Sequence, residues 1–221
     1  MPAFNLIEAL TKSFSETALM VLYSLGFAIV FGGLLGLLLF LTSNPLFIKN
    51  RIVNEIVGVI INVTRSIPFL ILLVVLIPFA KSIVGTGIGY KAVIVPLSFA
   101  AIAFYARLAE VSFSEVNQGV LEAAVASGAK PMAIIVHILI PEALPQLIKN
   151  LTVTAVSLIG YSAMAGIVGG GGIGDLAIRY GYQRYQTDVM LICVIVLIII
   201  VQALQAGGDF AAKKVNRKAG A

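Results

Sequence analysis

The sequence ALMVLYSLGFAIVFGGLLGLLLFL, residues 18–41, decides the fold class of this chain. It runs from Ala18 to Leu41 without a single charged side chain. An apolar run of about 20 residues is long enough to cross the hydrocarbon core of a bilayer as a helix. It is too long for the core of a signal peptide, and no small-x-small cleavage pattern closes it. We therefore predict a retained transmembrane helix here.

The composition of the whole chain agrees with a membrane protein. Of the 221 residues, 60% are hydrophobic and 11% are charged, and the mean hydropathy is +1.05. Soluble domains carry about 25% charged residues, so this chain is far too apolar to be one of them. The sequence predicts an all-α integral membrane protein, and its 21 glycines suit helices that pack closely in lipid.

Further apolar segments follow the first one. They run over Ile52–Ala80, Ala92–Leu108, Asn150–Val168 and Val189–Leu204. The second of the five spans contains Pro68, which lacks a backbone N–H and disfavours helix in the preceding residue. We expect a break there, followed by a helix over Phe69–Phe79. The sequence thus predicts five transmembrane helices per subunit, with neither an internal repeat nor a second domain.

Two glycines of the first span predict how that helix packs. Gly32 and Gly36 are four residues apart, so they lie on one face of a helix. Small residues at this spacing allow a second helix to approach closely. We therefore expect the face that carries these glycines to pack against another helix.

The basic residues predict the orientation, because Lys and Arg accumulate on the cytoplasmic side. Placing the C-terminus inside leaves nine of them there, namely Lys49, Arg51, Arg107, Lys130, Lys149, Lys213, Lys214, Arg217 and Lys218. Five then lie outside, namely Lys12, Lys81, Lys91, Arg179 and Arg184, with Arg65 at the break. We predict an outer N-terminal segment over residues 1–17, a transmembrane domain over 18–204 and a basic inner tail over 205–221.

The sequence lacks the residues that several classes of function require. There is no GxxxxGK[ST] phosphate loop, since the glycines at Gly85–Gly89 have the wrong spacing. With one His and one Cys we expect no metal site and no Cys–His nucleophile pair. His137 and Cys193 both lie in apolar stretches, which favours structural roles. We attribute the net charge of +5 to the basic residues that orient a membrane protein, so no nucleic-acid partner is expected.

A polar segment over residues 117–141, between the third and fourth spans, contains the pattern that bears on function. It reads Glu122-Ala123-Ala124-x3-Gly128-x9-Ile138-x-Ile140-Pro141. Asn117 is expected to cap a short helix that ends near Ser127, where Gly128 stops it. Alanines, including Ala126, would give that helix a smooth face suited to a groove. Pro141 is expected to begin the next helix. On residue types alone, an ordinary amphipathic loop is an equal alternative.

This pattern resembles the EAA loop of the permease subunits of bacterial type I ABC importers. Arg65-Ser66-Ile67-Pro68 is likewise similar to the Arg-x-x-Pro of amino-acid-type permeases. Ile140 stands where the family usually has Leu, which is a volume-conserving change. The resemblance covers about residues 13–204 and implies the type I ABC importer permease fold. It also implies a homodimer in the bacterial inner membrane, with the N-terminus periplasmic and the C-terminus cytoplasmic.

A narrower resemblance lies in GGGGIGDLAIRYGYQRY, residues 169–185, which we expect to form an outer loop. It is similar to the outer loop of the methionine importer permeases, a subgroup with a minimal five-span core. The resemblance implies that a binding protein docks there. The residues expected to contact it are Gly170, Gly171, Gly172, Asp175 and Arg179. A merely flexible loop is the alternative for the glycines.

The resemblance also implies a mechanism. Two permease copies form the pathway, and each docks a separate ATPase subunit through its EAA loop. The coupling residues carried over to this chain are Glu122, Ala123, Ala124, Ala126, Gly128 and Pro141. ATP and Mg²⁺ would be bound by that partner, so the chain itself would need no cofactor and would not be an enzyme. A periplasmic or lipid-anchored binding protein would deliver methionine, in the D- or L-form.

Tyr161, Ser162 and Met164 of the fourth span are candidates to line a passage for an apolar amino acid, with helix packing as the alternative. Other functions are a permease for another amino acid or an alkyl sulfonate, an ion-coupled secondary carrier, and an intramembrane enzyme. Carriers commonly use carboxylates within the membrane, whereas Glu55 is the single carboxylate of the predicted spans. An enzyme would need a nucleophile or paired carboxylates facing one another, which the spans lack.

Overall fold

The computed structural model describes residues 5–219, with side chains described as far as Asn216, and its regular structure is helical. In chain order the helices are α1 (Leu6–Ser43), α2 (Arg51–Ser66), α3 (Phe69–Val84), α4 (Tyr90–Ser114), α5 (Gln118–Ala126), α6 (Pro131–Val168), α7 (Gly172–Leu176) and α8 (Thr187–Ala219). Widened π turns interrupt α1 at Ala28–Gly32 and α6 at Ile135–Leu139, and another follows α7 at Ala177–Tyr182.

Among residues 5–219, four helices are long and apolar enough to cross a membrane on their own. They run over Leu6–Ser43, Tyr90–Ser114, Pro131–Val168 and Thr187–Asn216. α2 and α3 qualify together as a sharply bent pair, which brings the count in this part of the chain to as many as five. The break predicted at Pro68 is present, because α2 ends at Ser66 and α3 begins at Phe69. The prediction of several membrane-spanning helices is therefore confirmed.

The helices continue beyond the apolar part of the predicted spans. The first helix begins at Leu6 rather than Ala18, so much of the predicted N-terminal segment is helical. Asn5 caps its start, since its Oδ1 accepts a hydrogen bond from Glu8 N at 3.4 Å. The last helix continues to Ala219, past the predicted end at Leu204. Residues 1–4 and the side chains of residues 217–221 in the predicted tail lie outside the description.

The chain forms two compact units, each built from three segments. The first unit comprises the residues up to 27, residues 67–101 and residues 155–204. The second comprises residues 28–66, residues 102–154 and the residues from 205 onward. The membrane helices are continuous through these boundaries, so each long helix contributes to both units.

The core of the first unit surrounds α7. Its buried residues are Ile173, Leu176, Ala177, Val189 and Cys193. Leu6, Ala9 and Leu10, from the first turns of α1, pack against this cluster. The structural role predicted for Cys193 is therefore confirmed, and the start of α1 contributes to the core of the unit.

In the second unit, α1 and α4 pack closely through the predicted glycine face. A Cβ atom at Gly36 would lie 2.6 Å from the Ala106 carbonyl oxygen, and one at Gly32 would lie 2.9 Å from that of Ile102. Only glycine permits this distance between two backbones. The predicted packing role of Gly32 and Gly36 is confirmed.

Asparagine side chains add hydrogen bonds between helices of the second unit. Asn54 Nδ2 on α2 donates to the Leu39 carbonyl oxygen at 2.8 Å and to Thr42 Oγ1 at 3.0 Å. Asn150 Nδ2 on α6 donates to Ser112 Oγ on α4 at 2.8 Å. Such bonds hold helices together where lipid offers no competing partner.

Candidate functional site

The segment over residues 117–141 begins with the short helix that the sequence predicts. Asn117 is the N-cap of α5, and its Oδ1 accepts a hydrogen bond from Gly119 N at 2.8 Å. At the other end, Gly128 has a φ of +79°, in the left-handed region that favours glycine. Gly128 N donates to the Val125 carbonyl oxygen at 2.9 Å, and Ala129 N donates to that of Ala124 at 3.2 Å. Both predicted ends of the helix are therefore confirmed.

Replacing Asn117 by alanine is expected to fray the first turn of α5, because the N–H of Gly119 loses its acceptor. Loss of an N-cap costs about 1 kcal/mol. Hydrogen exchange at residues 118–121 of the purified protein should accelerate by roughly fivefold, in line with that cost. Asn117→Asp keeps the capping oxygen and serves as the matched control. Equal exchange in both variants would show that the cap does not hold this turn.

α5 is attached to its unit through one face. Leu121 is 0% exposed, and it is the buried anchor of the helix. Beside it, Gln118 Oε1 accepts a hydrogen bond from Asn44 Nδ2 at 3.3 Å, and Asn44 is itself buried. The rings of Phe40 and Phe113 pack 6.1 Å apart in the same unit. The helix thus has a fixed position rather than the freedom of an exposed loop.

The opposite face of α5 is open. Glu122, Ala123 and Ala126 are exposed, Ala124 is half-buried, and Gly128 is exposed just past the end of the helix. Apolar side chains on α5 and at the start of α6 are exposed as well, namely Val120, Val125, Met132 and Val136. A surface of small and apolar residues with one carboxylate suits a protein groove that accepts a helix at close range. We call it the coupling surface.

Pro141 does not begin a helix, so this prediction is wrong. α6 begins at Pro131 instead, where the missing N–H of proline costs nothing because first-turn N–H groups have no intrahelical partner. Pro141 is exposed within the continuous helix. Directly before it, Ile140 N donates to the Ile135 carbonyl oxygen across a widened turn. Such a turn interrupts the regular ladder of hydrogen bonds and accommodates a proline.

The segment over residues 169–185, predicted as an outer loop, is mostly helical and packed. Gly170 and Gly172 are buried. A Cβ atom at Gly170 would lie 2.6 Å from the Ala165 carbonyl oxygen, and one at Gly172 would lie 2.6 Å from Thr17 Oγ1. Gly171 and Gly172 also have φ values of +74° and +78°. These glycines serve close packing inside the first unit.

The charged residues predicted for this loop form a pair. Asp175 is buried, and Arg179 Nη2 donates to its Oδ2. Burial raises the pKa of the Asp175 carboxyl above its ordinary value, Arg179 opposes this, and nearby Glu16 raises the pKa further. Arg179 is exposed, so it reaches the surface, whereas Asp175 does not.

Sequence reasoning missed the residues that this loop exposes most. Tyr182 is 69% exposed and Tyr185 is 88% exposed. Tyr185 also has a φ of +56°, in the left-handed region that a residue with a Cβ atom rarely adopts. The Arg184 guanidinium lies 4.4 Å from the centre of the Tyr180 ring, on the same turn. The only sequence signal for these residues was their aromatic type.

The three predicted pathway residues do not share one environment. Ser162 is 2% exposed, and its hydroxyl donates to the Ile159 carbonyl oxygen of its own helix at 2.8 Å. The Tyr161 ring stacks on Phe69 at 4.7 Å between centres, and Met164 is exposed. Residues three apart lie on one helix face, so Tyr161 and Met164 lie together and Ser162 does not.

The part of the chain that is described offers little support for metal binding or for a catalytic histidine. Within it, no group of three or more His, Cys, Asp or Glu side chains is placed to hold a metal ion. His137 is exposed, and its Nδ1 lies 3.1 Å from the Ala133 carbonyl oxygen of the preceding turn. That contact within one helix is in keeping with a structural role.

Comparison with known proteins identifies the family. Residues 28–219 match the family model described as the binding-protein-dependent transport system inner membrane component. The chain belongs to this family. It is therefore a membrane component of an ABC importer and not an enzyme, as the sequence predicts, and it is a protein of the inner membrane.

Relatives with known names lie within this family. The chain is 47% identical over 195 residues to a probable D-methionine transport system permease protein, MetI, of Vibrio cholerae, covering 88% of this chain and 86% of that protein. It is 44% identical over 181 residues to the methionine import system permease protein MetP of Bacillus subtilis, covering 82% of each. The predicted resemblance to methionine importer permeases is confirmed.

Solved structures show the same fold. A chain of the MetNI methionine ABC transporter in an inward-facing conformation matches with a TM-score of 0.92 and 42% identity, over 95% of this chain and 97% of that one. An amino acid ABC transporter matches with a TM-score of 0.76 at 16% identity, which shows a shared fold alone. The predicted type I ABC permease fold is confirmed.

Proposed function

We propose that this chain is the permease subunit of an ATP-driven importer that carries methionine, in the D- and L-forms, across the inner membrane. The observation that carries the proposal is the 42% identity to the permease of a methionine transporter over 95% of the chain, together with the shared fold. ATP and Mg²⁺ belong to a separate ATPase subunit. This chain contributes the passage and the surfaces on which its partners act.

The proposed assembly contains two copies of the chain, two ATPase subunits and a binding protein that is periplasmic or anchored to lipid. With α2 and α3 counted as one broken span, each copy would have five spans, and its two ends would lie on opposite sides of the membrane. The basic residues near the C-terminus favour a cytoplasmic position for that end and a periplasmic position for the N-terminus. The coupling surface then faces the cytoplasm, where ATP is available.

Coupling would proceed through α5. The ATPase groove would receive Ala123, Ala124 and Ala126, with Glu122 as a hydrogen-bonding or ion-pairing group. The helix is capped at both ends and anchored by Leu121, so a push on its exposed face moves it as one body. Gly128 lies just past the end of α5, and Pro141 is exposed on α6. Nucleotide-driven closure of the ATPase pair would thereby switch the permease from inward- to outward-facing.

Substrate selection would come mainly from the binding protein, since a permease can obtain specificity from the partner that delivers its solute. Along α6, Tyr161 and Met164 are the proposed lining residues, because they share one face. Ser162 is proposed for the same passage only in a conformation that exposes it. At the outer loop, Arg179 is the exposed member of the predicted docking set, while Gly170, Gly171, Gly172 and Asp175 would support the surface from below.

The test is uptake by the complete transporter in liposomes. We expect uptake of labelled D- and L-methionine that requires the ATPase, the binding protein and ATP together. Omitting any one of these should reduce uptake to the level of empty liposomes. A proteoliposome without ATP but with a proton or sodium gradient is the matched control for a carrier.

Each alternative predicts a different result of this experiment. Accumulation driven by an ion gradient with this chain alone would indicate a secondary carrier and contradict the proposal. ATP-dependent uptake of another amino acid or an alkyl sulfonate, without methionine uptake, would support the assignment as an importer permease and contradict methionine as its substrate.

A further inference from the structure

α1 contacts the segment that leads to the exposed tyrosines, and we propose a function for that contact. We propose that Glu16 and Thr17 are positioning residues that hold the outer turn at Tyr182–Tyr185 as the docking surface for the binding protein. The inference rests on the proposed function, since it assumes that such a partner docks on this side. Residues up to 27 lie outside the part of the chain that the family model matches.

The contact consists of two hydrogen bonds to the backbone at the start of α7. Glu16 Oε2 accepts from Gly172 N at 2.8 Å, and Thr17 Oγ1 accepts from Ile173 N at 2.9 Å. The first N–H groups of a helix have no partner within the helix. Here side chains of α1 supply the acceptors, and a carboxylate at this position is favoured by the helix dipole. We call this contact the clasp.

The glycines of the outer segment fit the clasp closely. A Cβ atom at Gly171 would lie 2.7 Å from Glu16 Oε2, and one at Gly172 would lie 2.8 Å from Met20 Cε. Thr17 and Met20 are both buried. With positive φ values at both positions, no other residue type combines this backbone with this proximity. The glycine run therefore allows α1 to reach the α7 backbone.

The position of α7 determines the position of the exposed turn. Between them the backbone continues through a widened helical turn, and Gln183 N donates to the Ile178 carbonyl oxygen at 2.9 Å. Gln186 N donates to the Tyr180 carbonyl oxygen at 3.2 Å and closes the turn. A Cβ atom at Gly181 would lie 2.8 Å from Met190 Cβ, so the segment is also pressed against α8.

The exposed turn has the composition of a protein-binding surface. Tyr182 and Tyr185 project from it, and Arg184 lies over the Tyr180 ring beside them. Tyrosine and arginine are the residue types that most often dominate binding energy at interfaces. Holding such a turn in place before binding removes the cost of ordering it, which increases affinity. The clasp thereby acts on binding of the partner rather than on the transport step.

The experiment uses the complete transporter in liposomes and measures ATP hydrolysis as the binding protein is titrated. In Glu16→Ala and Thr17→Val, the concentration of binding protein for half-maximal stimulation should rise by about tenfold, as expected for a lost hydrogen bond. The maximal rate should change by less than about twofold, because the clasp acts before the transport step. Glu16→Gln and Thr17→Ser keep an acceptor oxygen and should restore most of the affinity. Glu8→Ala, an exposed carboxylate on the same helix, is the matched control.

A substitution on the exposed turn tests the same docking surface without disturbing buried contacts. Tyr185→Ala removes an exposed side chain and should also raise the half-maximal concentration by about tenfold, the effect of losing a main interface residue. Combined with Glu16→Ala, the two effects should be less than additive, since both act on one surface. Unchanged half-maximal concentrations in the clasp variants, or a fall in maximal rate alone, would overturn the inference. Absence of any stimulation of the unsubstituted transporter would overturn the proposed function and this inference with it.

Discussion

Replacing Gly128 by valine is expected to reduce ATP-driven uptake by at least about thirtyfold, the equivalent of 2 kcal/mol lost at the coupling surface. Gly128 has a φ of +79°, which a β-branched residue adopts only under strain. No atom lies within 4 Å of a Cβ at this position, so the cost comes from the backbone and not from a clash. The end of α5 would have to rearrange.

The expected loss of uptake in Gly128→Val follows from two energetic contributions. A left-handed conformation costs a residue with a Cβ atom roughly 1–2 kcal/mol. Rearranging this turn also removes the hydrogen bonds from Gly128 N and Ala129 N to the end of α5, each worth about 1 kcal/mol. The coupling surface would then be displaced relative to Leu121, its buried anchor. Uptake in liposomes and co-purification with the ATPase subunit should decline together.

Two variants serve as controls for Gly128→Val. Gly128→Asn tolerates the left-handed conformation and should retain most of the uptake. Gly207→Val introduces the same side chain at a helical glycine that has open space and an ordinary φ. Uptake at the unsubstituted rate by Gly128→Val, with the ATPase still bound, would show that this segment does not couple the permease to ATP hydrolysis.

Replacing Gly36 by alanine is expected to destabilise the protein by about 1–3 kcal/mol, the usual cost of overpacking a core. The added methyl group would lie 2.6 Å from the Ala106 carbonyl oxygen and 2.7 Å from Ala109 Cβ. One of these is a backbone atom, so α1 and α4 must separate to accept it. That separation also loosens the cluster around Leu39 in the same unit.

Gly26→Ala in the same helix is expected to stabilise the protein instead. No atom lies within 4 Å of a Cβ there, and alanine favours a helix over glycine by up to about 1 kcal/mol. Thermal unfolding of the two variants in detergent gives the measurement, with membrane yield as a second readout. A Gly36→Ala protein as stable as Gly26→Ala would mean that the helices are not in close contact at this point.

Features that act within one or two turns could be predicted from the sequence. Asn117 and Gly128 determine the ends of α5 through hydrogen bonds to residues no more than a few positions away. Pro68 breaks a helix for the same kind of local reason. Hydropathy located the spans but not the ends of the helices, because a helix such as α1 extends into polar sequence that is still compatible with helix.

The start of α6 could not be predicted from the sequence, because the rule that proline favours the first position of a helix fits two residues. Both Pro131 and Pro141 can begin a helix by residue type, and the widened turn at Ile135–Leu139 allows the second of them to lie inside one. The sequence contains no distinct signal for such a turn, because it arises where the helix adjusts to its neighbours.

The sequence by itself determined that the chain is a helical membrane protein, that a capped helix lies at residues 118–126, and that Gly32 and Gly36 face another helix. Only the tertiary structure decided that Gly170 and Gly172 are buried, that Gly171 and Gly172 pack against α1, and that Tyr182 and Tyr185 are exposed. The physical reason is distance along the chain. Glu16 and Gly172 are 156 positions apart, and no local pattern encodes which acceptor meets a given N–H. Packing alone brings these two segments together.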